Sequence, residues 1–276
     1  MKLNNRIEIP SVGIGTFTLS PEEAYNSVRE ALKLGYRLID TANAYVNEKA
    51  VGKAIKDSGV KREDIFLSTK IWPSEYLNDN AVDETLSRLG VEYIDLLFLH
   101  QPCKNYIHAY ENLEKAYREG KIRSIGISNF EGEYIEEILK KCEVAPQVIQ
   151  VEAHPYYPQE ELRKTLDKHD IKLMSWYPLG HGDKSLIEQP VFNELAEKYG
   201  KTPAQICLRW HVDMGFIVIP GSKNPKHIAD NFDILDFSLT QEEMKKIARL
   251  NNGKRYYHRT EAQLEQFSLW KPHFED

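Results

Sequence analysis

Four polar residues, Asp40, Tyr45, Lys70 and His100, could together transfer a proton to a bound molecule if they met at one site. A buried lysine beside a phenol favours the phenolate, so we expect Lys70 to lower the pKa of Tyr45. We expect Asp40 to keep Lys70 charged and oriented. The imidazole of His100 could hydrogen-bond a carbonyl oxygen and fix its angle. The chemistry that these residue types would support is the reduction of a carbonyl group.

Three of the four residues end short apolar runs, in RLID, FLSTK and LLFLH, and such runs recur along the chain. Longer stretches with apolar residues at three- and four-residue spacing separate them and predict amphipathic helices, for example at 21–34, 80–89 and 109–118. The distance between successive runs, about 25 to 30 residues, is typical of a parallel strand with its crossover helix. The eight predicted strands are 12–17, 37–42, 65–71, 93–100, 123–130, 148–153, 172–177 and 216–220.

Eight regular units predict an α/β fold of the (β/α)8 TIM-barrel type, as a single domain over residues 1–276. An open doubly wound sheet also alternates strand and helix, but no GxGxxG follows the first predicted strand. The last interval is longer, which predicts an added helix at 186–199 before the helix at 203–212. We expect the tail, 251–276, to lie near the barrel mouth.

In such a barrel, side chains at the carboxyl ends of strands line the pocket at the top face, so the four polar residues are expected to converge there. Each also has an ordinary structural interpretation. Asp40 and Lys70 could form an ion pair at the barrel rim, Tyr45 could be a common loop residue, and His100 could be a core histidine with its hydrogen bonds satisfied. Their order on consecutive strands favours the functional interpretation.

Composition narrows the possible partners. The net charge of −6 shows no basic patch for nucleic acid or an acidic membrane surface. Three scattered cysteines predict neither a disulfide framework nor a metal site, and Cys103 has no neighbouring base that would make it a nucleophile. We find no signal peptide or apolar run long enough to cross a membrane, and therefore expect a cytoplasmic protein without a metal.

The segment GYRLIDTANAYVNEKAVG, residues 35–52, resembles the aldo-keto reductase pattern G-[FY]-R-x-x-D-[ST]-A, five residues, then E-x-x-[apolar]-G. The resemblance continues in the family's order through STKIW, DLLFLHQP, GISNF, QVEAHPY, SWYPLG and IPGS to DNFDILDFSLT. It therefore covers nearly the whole chain. Within the family, the chain is similar to prokaryotic members of the 2,5-diketo-gluconate reductase type.

This resemblance implies that Asp40, Tyr45, Lys70 and His100 are catalytic, with Tyr45 donating a proton while a nicotinamide cofactor delivers hydride to an aldehyde or ketone. It implies that Trp176 stacks on the nicotinamide ring. Side chains that suit the carboxamide, and others near the phosphates and adenosine, complete the expected cofactor site. Its residues are Thr16, Asp40, Ser128, Asn129, Gln150, Trp176, Tyr177, Leu179, Ser222, Lys223, His227 and Asn231.

The sequence departs from the family at the adenosine end. Gly221 and His227 stand where NADPH-preferring members commonly carry Lys and Arg, which bind the 2′-phosphate. Ser222, Lys223 and Lys226 could still reach a phosphate. We therefore expect binding of NADPH, with weaker discrimination against NADH than in a member with both cations.

Aromatic residues predict an apolar substrate site, with Phe17, Trp72, Tyr45 and His100 as substrate-binding residues and Trp270 as a further candidate. The short loop after His100 suggests an open site for small aldehydes, ketones or dicarbonyls. Two alternatives stay open: another barrel chemistry, such as an isomerase or hydrolase, and a cofactor-binding sensor with slow turnover. We expect a monomer, with a weak dimer as the alternative, because the sequence has no coiled-coil seam.

Overall fold

The structure, a computed structural model, describes residues 1–275 and contains eight parallel strands in the order β1 to β8. Each strand pairs with its neighbour in sequence, and Val12 pairs with Val218 in a parallel bridge that joins the last strand to the first. The sheet is thereby closed into the predicted (β/α)8 barrel. The strands are β1 Ile14–Gly15, β2 Leu38–Asp40, β3 Phe66–Ile71, β4 Leu96–Leu99, β5 Ile125–Ser128, β6 Val148–Glu152, β7 Lys172–Trp176 and β8 Ile217–Val218.

Twelve α-helices lie within the described chain. The first shows the start and stop signals expected from its sequence: Ser20 and Glu23 form a capping box, and Gly35 ends the helix with φ 104°. The helices are α1 Pro21–Leu34, α2 Glu48–Ser58, α3 Ala81–Leu89, α4 Tyr106–Arg118, α5 Glu133–Lys141, α6 Glu160–His169, α7 Lys184–Ile187, α8 Pro190–Tyr199, α9 Pro203–Asp213, α10 Pro225–Phe232, α11 Gln241–Ala248 and α12 Glu261–Leu269.

One predicted feature differs from the structure, and one feature is additional to the prediction. The single added helix at 186–199 is two helices, α7 and α8, because Pro190 begins α8 and holds Gln189 in an extended conformation with ψ 137°. The tail, for which no secondary structure was predicted, contains α12, whose N-cap Thr260 forms a capping box with Gln263. The helix thus begins where the sequence carries the N-terminal signal TEAQ.

Strand residues alternate between two hydrophobic layers, as a period of two requires. Ile39, Leu67 and Leu97 belong to the large cluster that includes residues of the surrounding helices. Leu38 and Phe98, with the opposite parity, belong to a smaller cluster inside the barrel that the N-terminal residues Leu3 and Ile9 also join. This inner cluster does not include the inward-facing residues at the carboxyl ends of the strands, and these residues can therefore form a site.

Candidate active site

Asp40, Lys70, Gln150 and Trp176 have the same parity as the inward-facing apolar residues and come at or near the last residues of their strands. They therefore continue the barrel interior upward, at the point where apolar packing gives way to polar side chains. His100 follows the last residue of β4 and is buried. The strand ends thus bring together residues that lie far apart in sequence.

A buried ion pair joins two of the predicted catalytic residues. Lys70 Nζ donates to Asp40 Oδ2 at 2.6 Å and to the carbonyl oxygen of Thr41 at 2.8 Å. Ser68 Oγ and Gln150 Nε2 donate to Asp40 Oδ1 at 2.8 and 3.1 Å. Burial lowers the pKa of Lys70, and the charge of Asp40 opposes this effect. The carboxylate therefore accepts three side-chain hydrogen bonds that fix it and its partner.

Tyr45 ends a single 3₁₀ turn, Asn43–Tyr45, directly above this ion pair. Asn43 Oδ1 accepts a hydrogen bond from the Trp72 backbone at 3.0 Å, which fastens the turn to the end of β3. The Lys70 ammonium lies 5.0 Å from the centroid of the Tyr45 ring, and the His100 ring lies 5.7 Å away, edge-on. The structure therefore brings all four residues into one cluster.

The predicted lowering of the Tyr45 pKa is wrong for this structure. Burial raises the pKa of Tyr45 well above its ordinary value, and the charges of Asp40 and Tyr177 act in the same direction. Burial is the largest cause, and the Lys70 ammonium does not offset it because it donates to Asp40 and Thr41 and lies over the phenol ring. A raised pKa keeps the proton on the Tyr45 phenol, which suits a proton donor.

Burial also decides the charge of His100. Loss of solvent lowers the pKa of His100 well below its ordinary value, and the nearby Lys70 charge adds to this effect. A neutral imidazole carries one N–H donor, which suits a hydrogen bond to an uncharged carbonyl oxygen. His100 Nδ1 is buried and has no hydrogen-bond partner among the described residues.

The predicted nicotinamide residues form a neighbouring group. Ser128 of β5 and Gln150 of β6 are paired in register, and Asn129 follows with φ 66°. Asn129 Oδ1 accepts from Trp176 Nε1 at 3.2 Å, and Asn129 Nδ2 donates to the His100 carbonyl at 3.3 Å. Hydroxyl and amide groups beside a partly buried indole fit a flat ring that carries a carboxamide.

Other predicted cofactor residues already have partners. Thr16 Oγ1 donates to the Asp40 carbonyl at 3.2 Å, so this hydroxyl supports β2. Tyr177 stacks on His181 with centroids 3.8 Å apart, and Leu179 packs partly buried against the core.

The adenosine-end residues lie at and beyond the carboxyl end of β8, outside the catalytic cluster. Lys223 pairs with Glu23 at 2.9 Å and Lys226 with Asp230 at 2.6 Å. Ser222 Oγ accepts from the Asn224 backbone, which precedes α10. On α10 itself His227 is exposed and Asn231 is buried.

The predicted substrate residues occupy the mouth. Phe17 is 52% exposed, and its ring lies 5.1 Å from the Tyr45 ring. Trp72 is buried, lies edge-on to His100 at 5.0 Å, and donates from Nε1 to the Phe267 and Trp270 carbonyls at 3.1 Å. The tail is therefore near the mouth, as predicted.

Sequence reasoning missed several residues that organise this region. The Asn47 side chain accepts from Thr41 at 2.8 Å and donates to the Thr16 carbonyl at 3.1 Å, which ties β1 to the loop that carries Tyr45. Glu152, fully buried at the end of β6, holds the tail. Glu152 lies two residues after Gln150 on β6, so the alternation of strand residues predicts that it also faces the barrel interior.

Comparison with known proteins decides the family. The model of the aldo/keto reductase family matches residues 11–252. The chain belongs to the aldo/keto reductase family. A methylglyoxal reductase of Escherichia coli (strain K12) is 41% identical over 92% of this chain and 94% of that protein. A glyoxal reductase of Bacillus subtilis (strain 168) is 43% identical with the same coverage.

A solved aldo/keto reductase structure from Brucella melitensis has a TM-score of 0.87 at 44% identity, covering 91% of this chain and 98% of that one. This aldo/keto reductase is thus an oxidoreductase that reduces carbonyl groups with a nicotinamide cofactor. Within residues 1–275, no helix has the combination of length and apolar character that a membrane span requires.

Proposed function

We propose that this enzyme reduces small aldehydes and dicarbonyls, with Tyr45 as the proton donor. The buried Asp40–Lys70 pair beneath Tyr45, at 2.6 Å, is the observation that carries the proposal. Similar proteins named methylglyoxal reductase and glyoxal reductase favour 2-oxoaldehydes as the substrate class. Aromatic rings at the mouth would contact the carbon chain of such a substrate.

Each residue of the cluster has a distinct role in this proposal. The nicotinamide cofactor, when bound, supplies the hydride that adds to the carbonyl carbon. His100 donates a hydrogen bond to the carbonyl oxygen and sets its angle. Tyr45 gives its phenol proton to the same oxygen, which becomes a far stronger base than a phenolate as negative charge develops. The positive charge of Lys70, 5.0 Å from the centre of the Tyr45 ring, acts on the phenolate that is left through space and not through a hydrogen bond. Asp40 fixes the position of Lys70.

The test is a steady-state assay of NADPH and NADH oxidation with methylglyoxal, glyoxal and a simple aldehyde of similar size. We expect carbonyl-dependent oxidation, with the largest kcat/KM for a dicarbonyl. A protein that binds the cofactor tightly yet oxidises it with none of these carbonyls would support the sensor alternative. An isomerase or hydrolase would show no cofactor dependence at all.

We also propose that the enzyme accepts both cofactors, with weak preference for NADPH. Lys223 and Lys226 are each paired with a carboxylate, so they offer a 2′-phosphate little net charge. A Cβ on Gly221 would approach the Gly15 carbonyl oxygen to 2.9 Å, which disfavours any longer residue there. We expect a ratio of kcat/KM values below about 10³, or roughly 4 kcal/mol of differential binding. A larger preference for NADPH would contradict this prediction.

Monomeric state and cytoplasmic location are further parts of the proposal. The sequence has no coiled-coil seam, which supports a monomer, and small carbonyl compounds are the only partners that the proposed reaction needs besides the cofactor. Size-exclusion chromatography with light scattering would detect the alternative, a weak dimer, as a mass that rises with protein concentration.

A further inference from the structure

The C-terminal tail crosses the barrel mouth and contacts four strand ends in succession. The Tyr257 hydroxyl donates to Gln101 Oε1 at 3.3 Å, and its ring lies 5.4 Å from that of Trp176. Arg259 donates to the Asn129 carbonyl oxygen. Glu152 accepts from the tail backbone. The tail therefore touches residues at the ends of β4, β5, β6 and β7.

Glu152 is the innermost of these contacts. Its carboxylate is fully buried and accepts from the backbone N–H groups of Tyr256 at 2.6 Å and Tyr257 at 3.1 Å. His154 Nε2 lies 3.0 Å from the same carboxylate, and Arg255 Nε lies 3.6 Å away. A buried charge is stable only when it is paired and hydrogen-bonded, and the tail supplies three of these four partners: the two backbone N–H groups and Arg255.

A second carboxylate holds the same segment from outside. Asp183, in the loop before α7, accepts from the Tyr256 hydroxyl at 2.9 Å and pairs with Lys254 at 2.5 Å. Between the two carboxylates the backbone is fixed, and the Tyr257 ring is directed against Trp176. Tyr257 thus connects the neighbour of His100 in sequence, Gln101, with the indole that forms a wall of the site.

We propose that Glu152 is a positioning residue that holds the tail over the mouth and, through Tyr257, sets the position of Trp176. This inference rests on the proposed function, because it states that Glu152 affects the binding of cofactor and carbonyl substrate although it lies outside the catalytic cluster. Glu152 does not contact Asp40, Tyr45, Lys70 or His100 through any hydrogen bond within residues 1–275. Its loss should therefore alter binding more than the chemical step.

The test compares Glu152→Gln with Glu131→Gln, which makes the same change in the other carboxylate that contacts Arg255. For Glu152→Gln we expect KM for cofactor and aldehyde to rise about tenfold, while kcat changes less than about threefold. Amide hydrogen exchange at 256–257 should accelerate. Glu131→Gln should leave KM within about twofold, since it weakens the Arg255 side-chain contact with the tail but keeps both backbone hydrogen bonds to Glu152.

A double-variant cycle separates positioning from a general loss of folding. Tyr257→Ala should raise KM similarly without changing Glu152, and the double variant should be no worse than the poorer single one. The inference would be overturned if the rise in KM of the double variant equalled the product of the rises in the two single variants. It would also be overturned if Glu152→Gln accelerated hydrogen exchange but left KM unchanged. A third contradicting result would be a Glu152→Gln variant whose kcat falls in proportion to its unfolded fraction while KM stays the same. Hydrogen exchange needs no turnover, so an inactive wild type would refute the proposed function and leave the tail contact testable.

Discussion

At the residue scale, the central feature is a lysine that is buried with a single carboxylate partner. Asp40 accepts from Lys70, Ser68 and Gln150, so one cation balances its charge and two neutral donors add hydrogen bonds. The ammonium of Lys70 is held by Asp40 and the Thr41 carbonyl, which leaves it over the Tyr45 ring. The Lys70 ammonium is thus directed to its own partners, and burial is left to raise the pKa of the Tyr45 phenol.

Replacing Lys70 tests how much the pair contributes to stability. Lys70→Met should lower the free energy of unfolding by about 3 kcal/mol, because Asp40 would stay buried without its cation. Urea unfolding monitored by circular dichroism measures the change. Ser68→Ala, which removes only one hydrogen bond to Asp40, should cost less, about 1 to 2 kcal/mol. Equal stability of Lys70→Met and wild type would show that Lys70 and Asp40 do not form the buried ion pair described.

At the element scale, close packing of helices places the loop that carries Tyr45. Gly52 of α2 faces the end of α3, where an added Cβ would lie 1.9 Å from the Leu89 carbonyl oxygen. Glu48, on the same helix, accepts from Thr69 at 2.6 Å and pairs with Arg88 at 2.7 Å. The glycine and the glutamate of the family pattern therefore serve helix packing, directly after the segment that carries Tyr45.

Gly52→Ala should destabilise the protein by about 3 kcal/mol, because backbone atoms cannot move aside as a flexible side chain can. Thermal unfolding would report the loss as a lower Tm. Lys56→Ala, an exposed change on the same helix, should stay within about 0.5 kcal/mol of wild type. If both variants unfold at the wild-type temperature, α2 and α3 are further apart than described.

On the scale of the whole molecule, carboxylates with lowered pKa values should make stability depend on pH. Burial acts to raise the pKa of Glu243, but hydrogen bonds from Lys198, Thr240 and Tyr199 lower it to about 2 from an unfolded value of 4.5. A lowered pKa in the folded state stabilises the protein above the unfolded pKa. This contribution is complete above pH 4.5 and is lost as the pH falls towards 2.

Glu243→Gln keeps the capping box of α11 but removes the charge. At pH 7 its Tm should be lower than that of wild type by about 2 to 4 °C, and the difference should shrink as the pH approaches 2. Glu242→Gln, at an exposed neighbour, should follow the wild-type pH curve. A Glu243→Gln difference that stays constant from pH 7 to pH 2 would refute the proposed cause.

How much of this molecule is predictable from its sequence depends on the range of the contacts. The alternation of strand residues predicts that Asp40, Lys70 and His100 converge, because parity and strand order are local properties. The burial that raises the pKa of Tyr45 and the direction of the Lys70 ammonium both depend on distant residues, and so the predicted lowering of this pKa is wrong. The hydrogen bond from the Tyr256 backbone to Glu152 joins residues 104 positions apart, and no local sequence pattern predicts it.

The most direct test of the central claim is the activity of Tyr45→Phe with methylglyoxal under saturating NADPH. The variant should retain cofactor affinity, measured by fluorescence titration, because the change removes only a hydroxyl. Its kcat should fall by about 10² to 10⁴, the usual contribution of a positioned proton donor. Full activity with normal cofactor binding would contradict the assignment of Tyr45 as the acid and, with it, the role given to Asp40 and Lys70.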